Sequence, residues 1–167
     1  MDWPVFAIQW LHVLAGITWF GASLTTNFIF VPAIGKLPLG EQQRIGAAYG
    51  NAANRLLRPT ATLVILLGIL RGTVFGQLKS LDDVVGTAYG ITWLVSMIVA
   101  ILTFAWAEAA IAPNIAKLNR IDQPLDAQGN PTPEVSAIIG KAKRNALLEM
   151  VGFVTVFTCM ILMRFGY

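Results

Sequence analysis

The residue whose type and position most directly suggest chemistry is His12, the single histidine of the chain. At about 100° per residue, His12 lies on one stripe of a helix with several small, aromatic and polar residues. These are Gly16, Trp19, Ser23, Asn27 and Phe30. An imidazole inside a membrane must face protein or a cofactor, because an unpaired polar group is costly in lipid. Imidazole is also a common haem iron ligand. We therefore consider His12 as an axial ligand, with Gly16 leaving space beside the ring and Trp19 closing the pocket.

Other partners for this site remain open at the sequence level. His12 either ligates iron or hydrogen-bonds across the bundle to Thr92 or Ser96. Arg71, in the second apolar segment, either pairs a haem propionate or extends to the membrane surface. The second axial position of the iron also remains open. It is empty, or it is filled by His12 of a second protomer, or it is filled by one of three sulphur-containing side chains. These are Met97, Cys159 and Met160.

A second polar cluster is predicted near the opposite ends of the spans. It contains the carboxylates Glu108 and Glu149 and the cations Arg58 and Arg144. Carboxylates at this depth need cationic partners, and we expect the pairs Arg58–Glu149 and Arg144–Glu108. The cluster is interpreted as structural ion pairing that fixes helix order, with a proton or substrate path as the alternative.

Several classes of enzyme have no motif in this sequence. The patterns HExxH, CxxC, GxSxG, GxGxxG and the phosphate-binding loop do not occur. One histidine excludes a multi-histidine cage within the chain, and one cysteine, Cys159, excludes an internal disulfide. The chemistry is therefore expected to come from a cofactor at His12.

The elements that position these residues are predicted from the apolar composition. Of the 167 residues, 56% are hydrophobic and 13% are charged, which is too apolar for a soluble domain of this size. Runs of about 20 apolar residues predict membrane-spanning helices. Four spans result, at residues 5–31, 60–75, 86–111 and 145–163. The expected fold is all-α, a single four-span integral membrane bundle over residues 1–167.

The basic residues predict the orientation of this bundle. Nine of them flank the two connections after the first and third spans, and three lie on the opposite side. Because basic loops stay in the cytoplasm, both termini are expected outside, in the plasma (inner) membrane. The net charge of +3 is therefore interpreted as a topology signal, and no nucleic-acid partner is expected. A short repeat, Gly16-Ile17-Thr18-Trp19 and Gly90-Ile91-Thr92-Trp93, suggests two related hairpins 74 residues apart.

The pattern H-x3-G-x2-W-x-G within residues 11–21 resembles the first helix of the copper-resistance D (CopD-like) family. It is also similar to the first helix of the related haem-binding protoporphyrinogen-oxidase-like proteins and to the membrane region of haem-linked urate oxidases. Residues 54–59 and 144–149 resemble the same families more weakly. The resemblance implies a four-helix membrane bundle in which His12 ligates a b-type haem. The protoporphyrinogen oxidases carry a lysine early in the third span, whereas this chain has none between Lys79 and Lys117.

The sequence thus predicts a haem b-binding membrane protein with a redox or electron-transfer role. Two alternatives from other classes stay open. One is an accessory subunit of a larger respiratory or photosynthetic membrane complex, and the other is a copper or small-solute permease. The expected partners are the lipid bilayer and either a second copy of the chain or other subunits of such a complex.

Overall fold

The computed structural model describes residues 2–167, and this range is helical without any β-strand. Four helices are long and apolar enough to cross a membrane, and a short fifth helix lies between the second and third of them. Their bounds are α1 Trp3–Ile34, α2 Leu39–Gly72, α3 Leu81–Gly86, α4 Ala88–Leu118 and α5 Pro133–Arg164. The prediction of an all-α fold with four helices long and apolar enough to span a membrane is confirmed.

The helices extend well beyond the apolar runs that predicted them. Helix α2 begins at Leu39 and continues through Pro59, so the polar segment before the predicted second span belongs to the same helix. It ends at Gly72 rather than at residue 75. Helix α5 begins at Pro133, where the Thr132 side chain accepts a hydrogen bond from the first turn. Hydropathy locates the part of a helix that contacts hydrocarbon, and the helix itself continues as far as its backbone is capped.

The connection between α2 and α4 is tightly hydrogen-bonded. The Asp83 carboxylate accepts hydrogen bonds from the backbone N–H groups of Lys79 and Ser80, each at 2.8 Å. These bonds favour the ionised form and hold the pKa of the Asp83 carboxyl below its usual value. Thr87 then caps α4 by accepting a hydrogen bond from Gly90 N at 2.9 Å. This cap separates α3 from α4, so α4 begins at residue 88 and not at 86.

The four long helices form two antiparallel hairpins, α1 with α2 and α4 with α5, which pack side by side. Gly166, just after α5, lines a cavity with Leu78 and Tyr89, so the end of α5 lies beside the start of α4. An Arg71–Gln9 hydrogen bond places the start of α1 beside the end of α2. Both chain ends therefore lie at the same end of the bundle, which we call the termini end; the opposite end is the loop end.

Helices α1 and α4 each contain one π-helical turn, at Thr26–Phe30 and at Ala107–Ile111. Each turn is followed two residues later by a proline, Pro32 or Pro113, and these prolines are 81 residues apart. Proline has no N–H to donate to the preceding turn, and its ring clashes with the carbonyl four residues earlier. A π-helical turn before the proline is one way for the helix to accommodate it. In α4, Asn145 Nδ2 donates to the Ala110 carbonyl in this turn at 3.0 Å.

The offset of 81 residues between the π-helical turns differs from the offset of 74 residues that the repeated tetrapeptide suggested. Gly16 lies in the middle of α1, whereas Gly90 lies in the first turn of α4, so the two tetrapeptides occupy different depths. An offset of 81 instead relates the buried residue Ala15 to the buried residue Ser96. The short sequence match at 74 residues does not describe equivalent positions in the two hairpins.

Two glycines on α2 allow α1 and α4 to approach closely. A Cβ atom on Gly68 would lie 3.2 Å from His12 Cε1, and one on Gly72 would overlap the indole of Trp93. Both rings hydrogen-bond to α2: His12 Nδ1 lies 3.0 Å from the Val64 carbonyl oxygen, and Trp93 Nε1 donates to the Gly68 carbonyl at 3.2 Å. Each carbonyl is one helical turn before a glycine, where no side chain covers it.

We expect Gly72→Ala to destabilise the bundle, because the added methyl group overlaps the Trp93 indole. Overpacking of this kind costs about 1–3 kcal/mol. The measurement is the thermal unfolding midpoint of the purified protein in detergent. The matched control is Gly46→Ala in the same helix, where nothing lies within 4 Å of the added Cβ. That control should leave the midpoint unchanged or raise it, and equal midpoints for both variants would contradict the prediction.

Candidate functional site

His12 is half-buried on α1 and its ring faces α2. Its Nδ1 lies 3.0 Å from the Val64 carbonyl oxygen, and because a carbonyl only accepts, Nδ1 carries the proton of this hydrogen bond. In the neutral ring, Nε2 is then the nitrogen with the free lone pair. Among residues 2–167, no side chain or backbone group hydrogen-bonds to Nε2. The expected alternative partners are wrong, since Thr92 bonds to Ala88 in its own helix and the His12 bond goes to backbone.

Arg71 lies at the same α1–α2 junction as His12, nearer the termini end. Its Nε donates to Gln9 Oε1 at 2.9 Å, and its Nη1 donates to the Phe75 carbonyl at 3.1 Å. Gln9 precedes His12 by about one helical turn. The guanidinium is half-buried and is held by protein groups on two sides, with further N–H donors that these two bonds do not use.

Met97, one of the three sulphur-containing side chains considered as second ligands, lies against the His12 site. The point where a Gly68 Cβ would lie is 3.2 Å from His12 Cε1 and 3.4 Å from the Met97 methyl carbon. Gly68 therefore lets a residue of α1 and a residue of α4 meet over the same patch of α2.

Gly16 and Trp19 lie on the His12 face of α1 but belong to the helix packing. A Cβ on Gly16 would be 3.7 Å from the Val64 side chain, so the space beside this glycine is taken by α2. Trp19 is 7% exposed and packs edge-on against Phe153 and Phe104, with ring centroids 4.8 and 6.2 Å away. Its indole points into the core between α4 and α5, about two turns from His12.

The ion pairing in the second polar cluster differs from the prediction. Arg58 pairs with Glu108 through two contacts, Nε to Oε1 at 2.9 Å and Nη2 to Oε2 at 2.7 Å. The expected pairs Arg58–Glu149 and Arg144–Glu108 are wrong. Glu149 faces the core beside α1, out of reach of the partly exposed Arg58 side chain, and Arg144 is exposed on α5.

Glu149 is the buried carboxylate of the cluster, with 8% of its surface exposed. Ser23 Oγ donates to Glu149 Oε2 at 3.1 Å, and Asn27 Nδ2 donates to the Ser23 carbonyl at 3.0 Å. Sequence reasoning assigned a cation to Glu149 and missed this serine. The signal was present, because Ser23 and Asn27 lie on the same polar stripe of α1 as His12.

The described part of the chain contains no group of three or more His, Cys, Asp or Glu side chains placed to hold a metal ion. No protein-family model, curated protein or solved structure matches this chain. The fold defines the class as a multi-pass helical membrane protein. Within it, two sites stand out by their chemistry: His12 between α1 and α2, and Glu149 at the core face of α5.

We expect Ser23→Ala to lower the stability of the bundle, because Glu149 then loses its hydrogen-bond donor in a buried environment. Leaving a buried acceptor unsatisfied costs about 1–3 kcal/mol. Thermal unfolding in detergent measures the effect. Ser96→Ala is the matched control: Ser96 is 8% exposed against 7% for Ser23, and no inter-helix hydrogen bond of its hydroxyl is found within residues 2–167. Equal losses in the two variants would show that the Ser23–Glu149 bond contributes nothing specific.

Proposed function

We propose that this chain is a haem b-binding membrane protein with a redox or electron-transfer role, and that His12 is the axial ligand of the iron. The observation that carries the proposal is the hydrogen bond between His12 Nδ1 and the Val64 carbonyl oxygen. Histidines that bind metals generally donate their other ring N–H to a carbonyl or carboxylate, which fixes the tautomer and the ring orientation. The His12 ring fits a haem iron in this respect.

The environment of His12 also suits a haem with its charged propionates. Arg71 is anchored by Gln9 and by the Phe75 carbonyl on the side toward the termini end. Its remaining guanidinium N–H groups are suited to a carboxylate of a propionate. The bound haem would supply reversible one-electron chemistry, and the chain would supply ligation, an anchored cation and a low-dielectric setting that tunes the potential.

The packing assigns different roles to the other residues expected at this site. Because Val64 fills the space beside Gly16, we give Gly16 the role of holding α1 against α2 rather than that of clearing room for a macrocycle. Trp19 supports the site from the core. Met97 is the side chain we propose as the second ligand if the iron is six-coordinate, since it is the thioether that approaches His12.

The test is the haem content of His12→Ala, measured as Soret absorbance per folded protein after expression with haem supplied. We expect wild-type protein to bind haem and His12→Ala to lose it, with added imidazole restoring the spectrum. The matched control is Trp93→Phe, which removes the corresponding ring N–H bond to α2 one turn away and leaves His12 in place. Glu149→Gln, at the other polar cluster, should also keep the spectrum. A monodisperse His12→Ala protein with wild-type haem content would overturn the ligand assignment.

The orientation that accompanies this proposal places the termini end outside the plasma membrane. The supporting observation is the charge asymmetry, since nine of the 12 basic residues lie within residues 36–58 or 117–144, the two stretches that contain the loop-end connections. Basic segments are retained in the cytoplasm. The His12 site would then lie toward the outer face.

We expect reporter tags at Met1 and Tyr167 to be accessible from outside the cell, and a tag within residues 122–133 to be protected. Accessibility to a membrane-impermeant reagent in intact cells measures this. Labelling of the loop tag together with protection of both termini would reverse the orientation.

A further inference from the structure

A lateral groove lies between α4 and α5 and opens on the outer surface of the bundle. Its open volume is about 320 Å³. Its apolar walls include Leu102, Trp106 and Leu148, and Glu149 lies at its inner side; we call it the Glu149 groove. Leu102 is 62% exposed and Leu148 is 52% exposed, so in a bilayer this opening faces lipid.

The inner side of the groove is closed by a tight contact between the two helices. A Cβ on Gly152 would overlap the Thr103 hydroxyl, so only glycine allows α5 to approach α4 here. The Trp106 indole is held in place, because its Nε1 donates to the Asn145 carbonyl at 3.2 Å. The groove is therefore a formed feature of the packing between α4 and α5, with one aromatic ring fixed at its edge.

The Glu149 carboxyl group has no cationic partner within the described residues, where the salt bridges are Arg58–Glu108 and Lys117–Glu134. Ser23 satisfies Oε2 from the core side. Glu149 Oε1 receives no hydrogen bond within residues 2–167, and no fully enclosed side-chain oxygen is left unpaired there, so Oε1 keeps some accessible surface. A carboxylate at membrane depth costs about 2.5–3.5 kcal/mol even on the lenient insertion scale. A positive charge in the groove would offset this cost.

We propose that the Glu149 groove binds a lipophilic organic cation that enters laterally from the bilayer. The positive centre lies beside the Glu149 carboxylate and within reach of the Trp106 ring face, and the apolar substituents pack against Leu102 and Leu148. A small hydrated metal ion does not suit this site, because a single carboxylate with apolar walls cannot replace a hydration shell. A neutral acyl chain would fill the groove and leave the carboxylate without a counter-charge.

The test uses tetraphenylphosphonium binding to the full-length protein in lipid nanodiscs, measured by equilibrium dialysis. Tetraphenylborate has nearly the same size and shape and the opposite charge, so it separates charge recognition from partition into apolar space. We expect saturable binding of the cation and none of the anion. Equal binding of both ions, or no saturable binding of the cation to wild-type protein, would overturn the proposal; a groove covered by a second copy of the chain would give the latter result.

Variants locate the binding in the groove. Glu149→Gln should weaken tetraphenylphosphonium binding by about tenfold or more, since it removes the buried counter-charge and keeps an acceptor for Ser23. The matched control is Glu108→Gln, which removes the other span carboxylate, already paired with Arg58, and should leave the affinity unchanged. Leu102→Trp fills the groove from its exposed wall without touching the core, and should also abolish binding. Wild-type affinity in folded Leu102→Trp or Glu149→Gln would refute the site, whatever the haem content of the protein.

Discussion

The close approach of α1 and α4 to the glycines of α2 is the constraint on which the rest of the structure depends. Gly68 and Gly72 remove the side chains that would cover the Val64 and Gly68 carbonyls, and a ring N–H from each neighbouring helix occupies the exposed acceptor. Lipid tails are as apolar as leucine, so burial of apolar side chains contributes little to helix association in a bilayer. Helix association depends instead on small residues and inter-helix hydrogen bonds, and in this bundle both occur at the turns of α2 around Gly68 and Gly72.

The two membrane carboxylates show how such packing separates residues that look alike in the sequence. Glu108 lies within the π-helical turn of α4 and forms a partly exposed, two-contact ion pair with Arg58. Glu149, on α5, is turned toward the core and receives only the Ser23 hydroxyl. The ion pair with Arg58 on α2 is a sufficient structural role for Glu108. The second carboxylate, Glu149, has no cationic partner within residues 2–167 and lies beside an open groove, and for that reason it is the one to which we assign the proposed ligand.

The sequence was sufficient to predict the number of long apolar helices, because apolar runs of this length are a local property. It could not predict their bounds: the polar half of α2 continues the helix through Pro59, and hydropathy does not register it. It also failed on the partners of His12 and Glu149, which depend on how each helix is rotated about its axis. Only side-chain acceptors were considered for His12. A glycine four residues after Val64 marks that backbone carbonyl as an acceptor, and this spacing is visible in the sequence.

The offset of 81 residues that relates the π-helical turns also relates His12 to Trp93. Both rings occupy equivalent depths of their hairpins and both hydrogen-bond to α2 through a ring nitrogen, at carbonyls one turn apart. The two rings differ in the number of ring nitrogens that this hydrogen bond leaves unused. An indole has one nitrogen, and the bond to Gly68 uses it; an imidazole has two, and the bond to Val64 leaves Nε2 with a lone pair. The packing therefore uses the only nitrogen of the Trp93 indole, whereas Nε2 of His12 is the nitrogen on which the proposed iron ligation depends.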